Sequence, residues 1–239
     1  MHAITAILVL FISGVLQTAW AQNNLSSDFY GESPGQQNSI NAGDTQWQKI
    51  TDEDGIQVYS IAMQDTVIVK ARAVAIINAP LEKIKQLVDD FSQRPQWVPY
   101  LQYSQVIEKI SPTEHIEYSL FSAPWPASNR DFVYRVEYVQ QQDGNSFQLS
   151  YRMQSVTHRA MPLQPGLIRG EIFSSVYKLT AINAGQTRVE LIYHADPKGW
   201  LPNWIVNIIQ RAFPFKMMQN LRQQLQLSAA QDSGNLSGL

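Results

Sequence analysis

The sequence predicts an α+β domain built around an antiparallel sheet. Eight segments alternate apolar and polar residues with the period of a β-strand. Short turn sequences join several of them, such as Asp-Gly-Asn at 143–145 and Asn-Ala-Gly at 183–185. Helical spacing of apolar residues is confined to one stretch after the first pair of strands and one at the end of the domain. Strands connected mainly by turns, with helices kept apart from them, are typical of this class.

The predicted strands follow one another with a single helical interruption. In chain order they cover 55–63, 67–77, 103–110, 115–122, 130–140, 146–154, 170–182 and 187–194. The interruption begins at Asn78, a capping residue, and has Pro80 near its first turn. Its apolar residues recur at helical spacing as far as Phe91, and 92–101 continues as a short irregular helix.

The domain ends in a long helix, predicted over 204–225. Pro202 lies near its start, and Pro214 interrupts it. A proline inside a helix removes one backbone hydrogen bond, so Pro214 marks the point at which this helix would bend.

The N-terminus has the pattern of a secretory signal. An apolar run covers 4–16, and the small-x-small sequence Ala19-Trp20-Ala21 follows it. His2 supplies the only positive character before the run, which is irregular for a signal, and a buried N-terminal helix is the alternative. We predict cleavage after Ala21 and export, with a periplasmic or secreted mature protein.

The rest of the chain divides by composition. Residues 22–46 are rich in Asn, Ser, Gly and Gln and are predicted to be a flexible linker, and 228–239 has the same character. One domain is therefore expected over 47–227. The net charge of −2 argues against nucleic-acid binding, because there is no basic excess to neutralise phosphates. The chain has no cysteine, which excludes disulfides and thiolate chemistry.

Three elements present wide apolar faces that would meet in the interior. The strand at 130–140 places Phe132, Tyr134 and Val136 on one face, and the next strand places Leu149, Tyr151 and Met153 on one face. The helix contributes a stripe of Trp204, Ile205, Ile208, Ile209, Ala212 and Phe213. Periodicity alone does not distinguish a solid core from a hollow one.

Three motifs in the same order resemble the START domains, the steroidogenic-acute-regulatory-related lipid-transfer family. The sequence APWPASNRDFVYR (123–135) resembles their Pro-Trp-Pro…Arg-Asp-Phe signature. The sequence YHADPKGWLPNWIVNIIQRAFP (193–214) resembles the lead-in to their closing helix, and LVDDFSQRPQWVPYLQYSQVIEKI (87–110) resembles the segment between their second helix and fourth strand. The resemblance covers 47–227. It implies a helix-grip fold, in which a curved antiparallel sheet wraps on a long C-terminal helix.

The resemblance also implies a function. A lipid or other hydrophobic small molecule would bind in an internal tunnel closed by the C-terminal helix, and the protein would transfer it during transient contact with a membrane surface. The residues expected to contact this ligand are Glu117, Trp125, Phe132, Tyr134, Val136, Leu149, Tyr151, Met153, Tyr177, Tyr193, Trp204, Ile205, Ile208, Ile209 and Ala212. Trp125 would form a rigid corner near the tunnel mouth, which Arg130 and Asp131 would secure by ion pairs or backbone hydrogen bonds. The loop at 155–170 would border the same mouth.

A buried charged pair is not expected. Family members that bind sterols bury a carboxylate and an arginine; the carboxylate position matches Glu117, but the arginine position holds Val136. Strand alternation also places Glu117 opposite the more apolar face of Ile116 and Tyr118. Arg152 is a candidate cation on a neighbouring strand, and sterol is not predicted.

Two other functions stay open. One is an enzyme, of the cyclase, aromatase or hydrolase type, acting on an apolar substrate in the same tunnel, because buried phenols can donate protons. The other is an interaction module whose interior is filled by its tyrosines. No catalytic residue, metal site or cofactor is predicted, since His194 and Asp196 lack the second histidine of a two-histidine, one-carboxylate site.

Overall fold

The structure is a computed structural model that describes residues 47–61, 69–144 and 146–236. The proposed signal sequence at 1–21 and linker at 22–46 lie outside the described residues. Residues 62–68, which include the end of the first predicted strand and the start of the second, lie outside them as well.

The described residues form one ten-stranded sheet, in agreement with the predicted α+β class. The strands are β1 Gln48–Glu53, β2 Ile56–Ser60, β3 Val69–Ile77, β4 Leu101–Ser111, β5 Glu114–Phe121, β6 Arg130–Asp143, β7 Ser146–Ser155, β8 Ile168–Arg169, β9 Glu171–Asn183 and β10 Gln186–Asp196. Their spatial order is β1-β2-β3-β10-β9-β7-β6-β5-β4, all antiparallel, and β8 pairs in parallel with the start of β6. Strands β3 and β10 are neighbours in the sheet although they are far apart in the chain.

Two strands were missed by the sequence pattern, and both carry little apolar signal. β1 is an edge strand whose residues alternate only between exposed and half-buried, so its sequence QKITDE shows no apolar face. β8 has two residues and pairs only with Arg130 and Asp131. Because neither strand buries much side-chain surface, neither shows an alternating apolar pattern in the sequence.

The first helical stretch forms α1 (Leu81–Asp89) and α2 (Arg94–Trp97). The helix begins three residues later than the sequence suggests, directly after Pro80. Asn78 does not cap it; its side-chain oxygen instead accepts a hydrogen bond from Gln186 at 2.9 Å. This contact ties the start of the α1 connection to the β9–β10 turn.

The C-terminal helix has three parts: α3 (Asn203–Asn207), a π-helical turn (Ile208–Ala212) and α4 (Phe213–Leu236). The prediction of a flexible tail from 228 differs from this structure, in which α4 continues past Leu227. Gln and Ala sustain a helix there, and Ser228 Oγ donates a hydrogen bond to the Gln224 carbonyl at 3.0 Å. In the described part of the chain no helix is both long and apolar enough to cross a membrane.

Helix α4 lies on the sheet and closes the core. It contacts β2 and β3, and its Met218 and Leu221 are fully buried. It also contacts α2, where Asn220 Nδ2 donates to the Trp97 carbonyl at 3.0 Å. This contact fixes the position of α2 relative to the C-terminal helix.

The π-helical turn leaves one carbonyl without a helical donor. The N–H of Phe213 donates to Ile208, five residues earlier, so the Ile209 carbonyl does not receive it. Pro214, the next residue, has no N–H. The hydroxyl of Tyr193 on β10 donates to the Ile209 carbonyl instead. The interruption foreseen at Pro214 is therefore a π turn tied to the sheet by one tyrosine.

Replacing Tyr193 by phenylalanine should destabilise this turn. The Ile209 carbonyl would lose its only donor, and an unpaired buried acceptor costs about 1–3 kcal/mol of unfolding free energy. Urea unfolding should show this loss, and amide exchange should become faster across the π turn. Tyr103→Phe is the matched control, because the Tyr103 hydroxyl bonds the exposed Gln105 side chain; it should change stability by less than about 0.5 kcal/mol. Equal effects of the two variants would contradict this role of Tyr193.

Candidate functional site

A cavity of about 290 Å³ lies between the inner face of the sheet and the C-terminal helix. Its wall is almost entirely apolar, with side chains from β5, β6, β7, β9, β10, α2 and the π turn. Eleven of the residues expected from the sequence are in this wall: Glu117, Phe132, Tyr134, Val136, Tyr151, Met153, Tyr177, Tyr193, Ile205, Ile208 and Ile209. The tyrosines line the cavity without filling it.

Trp125 and Leu149 are outside the wall. The side chain of Trp125 is 88% exposed, although its neighbours Ala123 and Pro124 line the cavity. Leu149 shares the inner face of β7 with Tyr151 but lies one strand period further along, in the solid part of the core, where it is fully buried. Alternation gave the correct face of β7 but not the point at which the cavity ends.

Trp204 and Ala212 on the helix are also outside the wall. Trp204 belongs to the first turn of α3, and about half of its side chain faces solvent. The expectation for Ala212 assumed α-helical spacing after Ile208 and Ile209. A π turn contains about one residue more than an α turn, so Phe213 takes the wall position instead.

The single carboxylate in the wall, Glu117, has four hydrogen-bond donors. Arg94 Nη1 donates to Oε2 at 2.7 Å and Arg94 Nη2 to Oε1 at 3.3 Å. His115 Nε2 lies 2.7 Å from Oε1, and the Tyr134 hydroxyl donates to Oε2 at 2.8 Å. Burial of this carboxyl would raise its pKa, but the bond from His115 and the charge of Arg94 outweigh burial, so the pKa of Glu117 lies below its usual value.

The position of Glu117 corrects the argument from strand alternation. Ile116 and Tyr118 do lie on the more apolar face of β5, but this is the outer face of the sheet. There they form a second apolar cluster with Val133, against which Met161 of the loop between β7 and β8 packs. Because that loop buries the outer face, both faces of β5 are buried, and alternation could not tell which of them faces the cavity.

Arg94 is the charged residue of the site that sequence reasoning missed, and Trp97, which also lines the cavity, was not predicted either. Its Nε donates to the Val88 carbonyl at 2.7 Å, and its guanidinium lies over the Phe91 ring with 3.9 Å to the ring centroid. These contacts aim the guanidinium at Glu117, 23 residues further along the chain. Neither Val136 nor Arg152 provides the cation: Val136 is apolar, and Arg152 lies 4.0 Å from Glu137 on the outer side of the sheet.

Two cavity-side tyrosines are tied to α1. The hydroxyls of Tyr138 and Tyr151 donate to Asp89 Oδ1 at 3.3 and 3.1 Å. Burial, followed by the charge of Asp89, raises the pKa of both phenols above the usual value. Burial likewise raises the pKa of Tyr177 and Tyr193. All four hydroxyls stay protonated near neutral pH, so each of them is able to donate a hydrogen bond.

The corner before β6 is secured as the sequence suggests, through two separate partners. Arg130 donates to carbonyls of the connection between β10 and α3, at 3.2 Å to Lys198 and 3.1 Å to Trp200. Asp131 forms a bidentate ion pair with Arg169 of β8, with both distances 2.8 Å. The first contact joins the β5–β6 connection to the β10–α3 connection, both of which contribute residues to the cavity wall, and the second holds the end of the loop between β7 and β8.

The family model for the START domain matches residues 36–231 of this chain. The chain belongs to the START domain family. The ten-stranded sheet and the C-terminal helix are the helix-grip architecture expected of a START domain.

Known proteins similar to this START domain extend the comparison. The phosphatidylcholine transfer protein of Bos taurus is 25% identical over 163 residues, which is 67% of this chain and 75% of that protein. Human StAR-related lipid transfer protein 5 superposes with a TM-score of 0.69 at 21% identity, covering 77% of this chain and 88% of that one. A STAR-related lipid transfer protein from Xanthomonas axonopodis superposes with a TM-score of 0.63 at 29% identity, covering 77% and 99%. START domains bind lipids, so lipid binding in general extends to this chain.

Replacing Arg94 by methionine should destabilise the protein strongly. The buried carboxylate of Glu117 would lose its charge partner, which costs about 3–5 kcal/mol. Arg135→Met is the control, because Arg135 pairs with Glu114 at 3.0 Å on the exposed side of β6; the expected loss is within about 1 kcal/mol. Urea unfolding at neutral pH compares the two.

The loss in Arg94→Met should shrink as the pH falls. In the native protein the pKa of Glu117 is lowered, so its contribution to stability is present above the unfolded pKa and is lost as pH falls through the folded pKa. Without Arg94, burial would raise the pKa of Glu117. Protonation at acidic pH would then remove the unpaired buried charge, so the variant would lose less stability there. An effect independent of pH would show that the pair is not ionised.

Proposed function

We propose that this START domain binds one lipid or other hydrophobic small molecule in the 290 Å³ cavity, closed in by the C-terminal helix, and transfers it to or from a membrane. The observation that carries the proposal is an apolar cavity inside a folded domain, with a single internally paired charged group in its wall. A domain of this size ordinarily packs its interior without voids much larger than a water molecule. An open apolar volume of this kind is suited to an apolar guest.

Apolar burial would supply most of the binding free energy. Each methylene removed from water contributes about 0.8 kcal/mol, so a chain of several carbons gains enough to offset the cost of association. The few polar groups of the wall would orient the polar end of the guest. No chemical step belongs to the proposal, in which the buried tyrosines serve as hydrogen-bond donors.

The mouth of the cavity carries exposed aromatic side chains that suit a membrane surface. Trp125 is 88% and Trp200 66% exposed, on two loops that Arg130 joins. Tryptophan is enriched where proteins meet the headgroup region of a bilayer. We include contact of these loops with a membrane in the proposal, since this would place the cavity mouth at the lipid surface.

The π turn supplies the element whose opening would release the guest. It lines the cavity through Ile208 and Ile209, and Tyr193 fastens it to the sheet. Breaking that hydrogen bond would weaken the attachment of the turn next to Pro214 without unfolding α4, leaving apolar packing to hold it. The proposal also includes export of the chain with cleavage after Ala21, which N-terminal sequencing of the mature protein would test.

Filling the cavity should abolish lipid binding. Ser175 is buried in the wall on β9, so Ser175→Phe would place a phenyl ring in the volume that the guest needs. We expect native mass spectrometry, after exposure to a bacterial lipid extract, to show about one bound lipid per wild-type chain and almost none for the variant.

The neighbouring Ser174 gives a matched control. It lies on the opposite face of the same strand, so Ser174→Phe adds the same ring outside the cavity. This variant should keep the bound lipid. Equal lipid occupancy in Ser175→Phe, or an empty wild-type protein, would refute binding in this cavity.

Removing the two exposed tryptophans should slow transfer without weakening binding. Trp125→Ser with Trp200→Ser removes the aromatic groups proposed to enter the membrane surface, while neither side chain lines the cavity. Lipid exchange between donor and acceptor vesicles should slow by at least about tenfold. Ile182→Ser, at the half-exposed β9–β10 end of the sheet, is the control and should exchange normally. Unchanged exchange in the double variant would rule out this membrane contact.

A further inference from the structure

Two buried polar groups of the cavity wall are unpaired. The indole Nε1 of Trp97 and the hydroxyl of Tyr177 have no hydrogen-bond partner among the described residues. Trp97 is 2% and Tyr177 4% exposed, and both side chains line the cavity. A buried donor without an acceptor lowers the stability of the protein by about 1–3 kcal/mol. An acceptor on a bound guest would remove this penalty for both groups.

Both groups can donate a hydrogen bond. An indole nitrogen can only donate, and burial raises the pKa of Tyr177, which keeps its hydroxyl protonated. Trp97 is held in place on α2 by Asn220 of α4, which donates to the Trp97 carbonyl. Tyr177 is held on β9 between its partners on β7 and β10. The two donors therefore sit on rigid elements and not on the loops.

The carboxylate of the wall already has all its hydrogen bonds. A carboxylate has about four lone-pair sites, and Glu117 accepts hydrogen bonds from Arg94 twice, from His115 and from Tyr134. The Ser119 hydroxyl lies 2.8 Å from Tyr134 Oη, whose own proton goes to Glu117, so Ser119 donates to Tyr134. A hydroxyl or amine on the guest would bring a donor to a carboxylate that has no free site.

The charged side chains of the wall also have partners already. Glu117 neutralises Arg94 inside the cavity wall at 2.7 Å. The third charged residue of the wall, Arg130, donates to backbone carbonyls at the mouth. An anionic headgroup would have to compete with Glu117 for Arg94 and leave a carboxylate unpaired in a buried site, which is strongly unfavourable.

From these observations we infer that the guest is an electrically neutral lipid whose polar end carries carbonyl oxygen, the acceptor that Trp97 Nε1 and Tyr177 Oη lack. The inference rests on the function proposed above and names the ligand class of the same cavity. Acyl esters and isoprenoid quinones both present this chemistry. Free fatty acids and lipids with a phosphate inside the cavity do not.

A series of ligands with one chain and different head groups tests the inference. Tetradecane, myristyl alcohol, methyl myristate, myristate and myristyl phosphate are compared at about pH 8 by displacement of bound Nile red. Methyl myristate should bind most tightly, exceeding tetradecane by about threefold to tenfold for each hydrogen bond gained. Decylubiquinone is measured in the same assay to distinguish a quinone ligand from an acyl ester. The ligand class is assigned to whichever of methyl myristate and decylubiquinone binds more tightly.

Each outcome decides something different. Tighter binding of myristate, myristyl phosphate or the alcohol than of the ester overturns the inference but leaves lipid binding intact. Equal binding of tetradecane and the ester also overturns it, because the two donors would then be unused. If neither Nile red nor any member of the series binds, the proposed function itself fails.

Variants that lack the donors complete the test. Trp97→Phe and Tyr177→Phe remove one unpaired donor each and keep an aromatic ring in the wall. Each should reduce the preference for ester over alkane by about threefold to tenfold, with the affinity for tetradecane unchanged as the internal control for folding. Trp200→Phe, at the exposed mouth, should leave the preference as it is. A full preference for the ester in the double variant Trp97→Phe, Tyr177→Phe would overturn the assignment of these two donors.

Discussion

The ion pair between Arg94 and Glu117 is the constraint on which the interior of this START domain depends. Two charges in an apolar wall are tolerable only if each satisfies the other and the remaining hydrogen-bond sites are filled. His115 and Tyr134 fill the sites on the carboxylate, and the Val88 carbonyl with the Phe91 ring holds the guanidinium. The pair thereby fixes α2 against β5 and sets one end of the cavity.

The opposite boundary of the cavity is set by a hydrogen bond of another kind. The π turn places Phe213, and not Ala212, against the guest space, and Tyr193 compensates the carbonyl that this turn and Pro214 leave unpaired. This end of the wall has apolar packing and one side-chain hydrogen bond to the sheet, whereas the other end has a buried ion-pair network. Under the proposed function we therefore expect opening at the C-terminal helix, while α2 and β5 keep their geometry.

Some polar groups of the interior are hydrogen-bonded to one another, and others have no hydrogen-bond partner among the described residues. Arg94, Glu117, His115, Tyr134 and Ser119 satisfy one another, which makes that network structural as well as polar. Trp97 and Tyr177 are not satisfied. Selectivity among apolar guests would then come from these two donors, while burial of the hydrocarbon supplies the affinity.

The sequence by itself determined the class of fold, the order of most strands, the family motifs and eleven residues of the cavity wall, because strand alternation and local motifs depend on neighbours along the chain. Only the tertiary structure decided which face of β5 looks inward, since a loop distant in sequence covers the outer face at Ile116. It also decided that Arg94 is the partner of Glu117, and where the helical phase shifts before Phe213. A salt bridge across 23 residues and a π turn completed by a tyrosine from β10 depend on how separate elements pack, and no local pattern carries that information.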